Sequence, residues 1–298
     1  MIQVGNVHVR SFDIATLDVY WDVTSGYDTV VDYDMFVLRS EAQFGPYNVQ
    51  AGPFRMKDRF RDTSVPGYHA FYTRVFYKIR LTHRVTGETK DFPEEAGVRL
   101  EAMPDLEALE IARMERLKLE QHKGRLLWIF PRRHSGQRCS VCVDPVMNQR
   151  LRSSCMSCFD TGWVGGYHSP VEVYGQIPSV PQTIENLPQG KVASQDSVLM
   201  LANYPILSEG DVVVEAENIR WRVGATINAI EKQRALIRQQ APIHRLAVTD
   251  VEYALPILLS DDEVRNLQAT PARNYTNPQT LGQPSLDALY IGLFGASR

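Results

Sequence analysis

Period-two alternation sets the character of the first third of the chain. In "TLDVYWDV", Leu17, Val19, Trp21 and Val23 fall on one side of an extended backbone, and Asp18, Tyr20 and Asp22 on the other. That is the pattern of a strand with one face buried. "VFYKIRLTHRVTGE" repeats it, with Val75, Tyr77, Ile79 and Leu81 inward and Lys78, Arg80 and Thr82 outward, and closes on a Thr86-Gly87 turn signal. Between these two lie "DYDMFVLRS" and "YNVQAGPFRM", short β-like pieces punctuated by Gly and Pro. About seven short strands over residues 1–98 predict a β-sandwich.

The period changes in "MPDLEALEIARMERLKLEQHKG". Pro104 suits a first helical turn, and Asp105, Glu107 and Glu110 sit early while Lys118, His122 and Lys123 sit late, as the helix dipole favours. Gly124 is placed to end the helix. Leu106, Leu109, Arg113, Leu117 and Glu120 share one stripe, with Ile111, Met114 and Lys118 beside it, so the expected apolar face is broad but interrupted. An apolar strand, Leu126 to Phe130, then leads into a cysteine-bearing lobe; helix and lobe together occupy 99–178.

From residue 179 the chain is rich in loops and then β again. "SVLMLANYPILSEGDVVVE" predicts two strands around a Glu209-Gly210 turn, "NIRWRVGATINAI" alternates Ile219, Trp221 and Val223, and further short strands follow to residue 252. Five or six strands here predict a small β-barrel over 179–260. Residues 261–298 are polar and proline-containing until Leu286, Leu289, Tyr290, Ile291, Leu293 and Phe294. Such an apolar cluster is expected to fold back on its own domain or to reach a neighbouring subunit, with the neighbour preferred. The fold class expected is thus mainly β and multidomain: sandwich, one helix, cysteine lobe, small barrel and extended tail.

Charge narrows the function. A formal net charge of −3 argues against a generally basic nucleic-acid binder while leaving room for a local basic patch. No apolar run reaches the length of a membrane span, and the N-terminus has no signal-peptide core, so a reducing cytoplasm, or release by lysis, is expected.

All four cysteines lie in "CSVCVDPVMNQRLRSSCMSC", as two C-x-x-C pairs: Cys139 with Cys142, and Cys155 with Cys158. Each pair lets two thiolates face one ion, and four thiolates close a tetrahedral zinc site with no position left for water or substrate. Zinc in such a site is structural. Two disulfides, or one redox-active pair, are the alternatives; a reducing compartment disfavours the first and the lack of a βαβ context the second. With four thiols present, His134 and His168 read as ordinary surface residues. From Gly124 to Phe159, Arg125, Arg132, Arg133, Arg138, Arg150 and Arg152 face a single acid, Asp144. Arg132, Arg133, Arg138, Arg150 and Arg152 are therefore candidate contacts to DNA phosphate or an acidic partner, with a merely solvated face as the alternative. "TGWVGG" lacks the Lys-Ser/Thr of a phosphate loop, no catalytic motif is present, and no enzymatic activity is expected.

An early strand with Trp21 and a late strand with Tyr77 make residues 1–98 resemble a fibronectin type III or immunoglobulin-like domain, an unrelated small sandwich being the alternative. "PDLEALEIARMERLKLEQHKGRLLWIFPRR", the two cysteine pairs, "TGWVGGYHSPVEVYGQI" and "GDVVVEAENIRWRV" together resemble neck or head–tail connector proteins of contractile-tailed bacteriophages. The resemblance implies a virion protein forming a ring of identical subunits, with portal or adaptor and tail proteins as partners, packaged DNA nearby and the sandwich as a peripheral decoration. A nucleic-acid-binding zinc-ribbon protein is the rival function, and an enzyme with a structural zinc lobe is a third.

Overall fold

The computed structural model describes residues 2–26, 32–54, 57–65, 74–101, 105–144, 146–152, 154–178, 184–187, 190–193, 196–233 and 235–257. The C-terminal tail, with its apolar cluster at 286–294, and Pro104 lie outside the described residues.

Two antiparallel sheets form from the alternating strands of the first third. β1 (Gln3–Asp13), β2 (Thr16–Ser25) and β5 (Arg59–Asp62) make one, in the order β1-β2-β5. β3 (Tyr33–Ser40), β4 (Asn48–Phe54), β6 (Phe76–His83) and β7 (Thr89–Phe92) make the other, in the order β4-β3-β6-β7. Leu17, Val19, Trp21 and Val23 meet Met35, Val37, Tyr77, Ile79 and Leu81 in one buried core, as alternation requires. Two polar residues depart from the pattern. Asp18 is buried because Arg61 holds it at 2.8 Å, and Lys78, expected outward, is buried with its Nζ on the carbonyls of Glu94 and Glu95. Tyr77 Oη donates to buried Asp62 at 2.8 Å, so its polar end is satisfied inside the sandwich.

Helix α1 (Leu106–Lys118) starts at Asp105, whose carboxylate accepts from the amides of Glu107 and Ala108. It packs on β16 (Ala235–Arg245) and on β1, and buries Ala108, Leu109 and Ala112. The expected stripe is therefore displaced: Leu106, Ile111 and Met114 are exposed, because close approach to a sheet selects the small side chains. A final π-type turn, Leu119–Lys123, stops at Gly124, where a Cβ would lie 2.5 Å from the Leu119 carbonyl oxygen. The glycine ends the helix as expected, for want of space rather than for a left-handed backbone.

The second sheet system runs β12-β16-β14-β13-β8-β9, with β15 (Asn228–Lys232) also on β16. Its strands are β8 (Arg125–Phe130), β9 (Val171–Gly175), β12 (Asp196–Leu201), β13 (Val212–Glu215) and β14 (Ile219–Val223). Beyond β9, Gln176 pairs with Met200 of β12 through hydrogen bonds of 2.9 and 2.8 Å, so the two ends of the order meet. β10 (Ile184–Leu187) and β11 (Gly190–Ala193) form a separate hairpin. β8 and β9 belong to this sheet, and the cysteine lobe leaves and rejoins it between them. The Glu209-Gly210 turn joins β12 to β13 as expected, but the two strands are not neighbours: β16 and β14 separate them. Leu127, Ile129, Leu199, Val213 and Ala241 fill one side of the sheet, while Trp128, Phe130, Val212 and Val214 are covered on the other by Tyr167, Leu246, Leu255 and Ile257.

Buried charge joins the sandwich to the rest. Asp58 Oδ2 contacts His168 Nδ1 and lies 3.6 Å from Arg133, both partners coming from the lobe's base. Arg59 donates to the carbonyls of Ser169 and Pro170 at 2.7 Å, and Asn203 Nδ2 donates to the Phe12 carbonyl at 2.6 Å. Burial pushes Asp58 up, but the charges of His168, Arg59 and Arg133 outweigh it and hold the carboxyl well below its usual range. A depressed carboxyl stabilises the fold above its unfolded pKa near 3.8 and loses that contribution as pH falls further. Asp58→Ala should cost about 3–5 kcal/mol by leaving Arg133 buried without its carboxylate, and Asp58→Asn should flatten the decline of stability below about pH 4. Urea melts of both variants across that pH range measure these effects.

Candidate metal centre

Strand pairing fixes where the lobe leaves and returns. Ile129 of β8 pairs with Val171 of β9, so residues 131–170 emerge and re-enter at one place on the sheet. Pairs Arg132–Tyr167 and Arg138–Trp163 continue the two arms outward, and the cysteines lie beyond them.

Each C-x-x-C segment is a tight turn held by its own amides. Val143 N–H donates to Cys139 O at 3.0 Å, and Asp160 N–H to Cys155 O at 3.2 Å. Gly162 N–H points at Cys158 Sγ from 3.4 Å, while Gly162 O accepts from Cys139 N–H at 3.0 Å, so this residue links the two turns. Gly162 and Gly166 have φ of +80° and +67°, and a Cβ on Gly166 would stand 2.5 Å from Cys158 O. Glycine is required there on both counts. Asp160 Oδ1 accepts from Cys155 N–H at 2.6 Å, and Asp144 Oδ1 caps the tip by accepting from the amides of Val146 and Met147.

The four sulfurs converge. They lie within 4.8 Å of one another, with Cys142–Cys158 at 3.4 Å and Cys139–Cys155 at 4.0 Å, and all four residues are buried. Four ligands about 2.3 Å from a tetrahedral ion stand ~3.8 Å apart, which this spread brackets. A disulfide needs sulfurs at about 2.0 Å, and the four thiols are free. The residues therefore suit a metal ion held by four thiolates. Burial and the neighbouring thiols push Cys142 far above the ordinary thiol range, and burial pushes Cys158 up to about 11. A divalent ion at the centre favours the thiolates instead. Among the described residues, the lobe's buried hydrophobic cluster consists of the four cysteines and Val143. One valine is a small core for a lobe of this size, and a metal ion held by the four thiolates would supply stabilisation in its place.

The arginines separate in space. Arg133 is 6% exposed and bound to Asp58 and to the Tyr167 carbonyl. Arg150 pairs with Asp160 at 2.5 Å and Arg125 with Glu215 at 2.7 Å. Arg132 is half-buried beside Gly210, its amide donating to buried Asp211. Arg138 stacks on the Trp163 ring at 3.8 Å, and Arg152 is exposed on the lobe. Three of the six arginines, Arg125, Arg133 and Arg150, are thus paired with acids outside residues 124–159. His134 is exposed as expected, whereas His168 is half-buried on Asp58 and belongs to the junction. Nothing local in "KDRF" marks Asp58 as its partner, because the pairing spans 110 positions.

No protein-family model matches the chain, and no curated protein matches it. Cys142→Ser should abolish binding of one metal ion per chain and open the lobe to proteolysis between residues 139 and 158, while the flanking sheet keeps its fold. Elemental analysis of reduced protein and mapping of limited-digestion fragments read both outcomes.

Proposed function

We propose that this protein is a non-catalytic building block of a tailed-phage virion: a neck protein assembled as a homo-oligomeric ring between portal or adaptor and tail, with structural zinc in its lobe. The convergence of four buried thiols carries the reading. Two knuckles of this kind leave no ligand position for substrate, so the ion's role is to hold shape. Zinc fits four thiolates in a compact site better than the oxygen-seeking ions.

The surrounding architecture supports the same reading. The order β12-β16-β14-β13-β8-β9, rejoined through Gln176 and Met200, suits the small β-barrel expected of head–tail joining proteins. Three strands facing four across one core suit a fibronectin type III-like sandwich. The nucleic-acid reading draws less support, since Arg133 is buried and Arg125 and Arg150 are partnered.

The purified chain should form one discrete large oligomer containing one zinc per subunit. Light scattering on a sizing column, negative-stain imaging and metal analysis test this. Monomers alone, even beside purified portal, would refute the ring.

A further inference from the structure

The lobe turns apolar side chains to solvent around its metal site. Val146 is 85% exposed, Met147 64% and Leu151 64%, and Val141 and Met156, one in each knuckle, are exposed as well. Val141 lies between Cys139 and Cys142, Met156 between Cys155 and Cys158, and the Leu151 amide donates to Cys142 O at 2.8 Å. These three therefore belong to the two turns whose sulfurs converge, with Val146 and Met147 beyond them at the tip. Exposed Arg138, Arg150 and Arg152 accompany this surface, while its neighbouring acids, Asp144 and Asp160, already accept hydrogen bonds from amides or from Arg150. So much apolar surface on a lobe this small marks a docking site rather than a solvated end.

The chain carries a segment of matching chemistry. Leu286, Leu289, Tyr290, Ile291, Leu293 and Phe294 fall within nine residues whose only charge is Asp287. The last described residue, Ile257, is buried in the cluster that includes Tyr167 and Phe159, at the base of the lobe. Residues 258–285 can span about 30 Å even as a coil, enough to leave that base and reach an adjacent subunit.

We infer that residues 286–294 of one copy seat on the apolar surface of the cysteine lobe of the next copy, with Asp287 toward its arginines. This inference rests on the ring reading. A donor segment and an acceptor surface on one chain make a heterologous contact, which closes into a ring when the rotation between copies allows.

Two variants and their mixture test it. One chain ends at Pro284 and keeps the lobe; the other, Val146→Ser/Met147→Ser/Leu151→Ser, keeps the segment and changes only exposed positions. Unchanged metal content and melting temperature establish that each is folded. Each alone should be monomeric by mass photometry, and an equal mixture should give a species of two chains and nothing larger. If the full-length chain assembles and the truncated chain assembles equally well, the inference falls while the ring stands. It falls in the same way if truncation disperses the assembly but the lobe variant does not. A monomeric full-length chain removes the ring reading itself.

Discussion

The antiparallel pairing of β8 with β9 is the constraint on which the arrangement depends. It sets Ile129 opposite Val171 and thereby forces residues 131–170 to leave and return through one gap in the sheet. A chain so constrained must find its own internal closure. Few of the lobe's apolar residues are buried, and the convergent sulfurs take the part that a hydrophobic core plays elsewhere. The sheet below is well placed to bear this, since β8 and β13 are buried on both faces, by Ile129 and Val213 on one side and by Trp128, Phe130, Val212 and Val214 on the other.

The base of the lobe also anchors the sandwich. Asp58, Arg133 and His168 meet there, and Ser135 donates to Asp22 at 2.6 Å from the arm above. Elsewhere Arg116 pairs with Asp13 at 2.6 Å, and Arg61 lies over the Tyr204 ring at 4.2 Å. On the sandwich side these polar ties come from β1, β2, β5 and the residue just before β5. They make the sandwich a fixed neighbour of the lobe's base, in place of a loosely tethered appendage.

Legibility in the sequence followed the range of the forces involved. Alternation identified Leu17, Val19, Trp21, Val23, Tyr77 and Ile79 as core because strand burial is a local period, and the cysteine spacing was readable because two short turns set it. Burial that depends on a partner far away in sequence leaves no local mark. Lys78 is buried by carbonyls beyond β7, and Arg133 by an aspartate of the sandwich. The helix misled for a related reason: its apolar residues were visible, but whether Leu106 and Met114 or Ala108 and Ala112 face inward depends on how closely β16 approaches. Sheet membership is the feature least visible in the local pattern. β8 reads as an approach to the cysteines, and only its pairing with β13 reveals that it belongs to the sheet beyond them.

The tip of the lobe is closed beneath itself. Val143 bridges Arg150, and the Asp144 amide bonds to the Gln149 carbonyl at 2.9 Å, so a complete small loop stands on top of the sulfur cage. Length or composition at its crest can change without moving a single thiol. At the crest, the side chains turned to solvent and the thiols that converge beneath them are therefore separate residues.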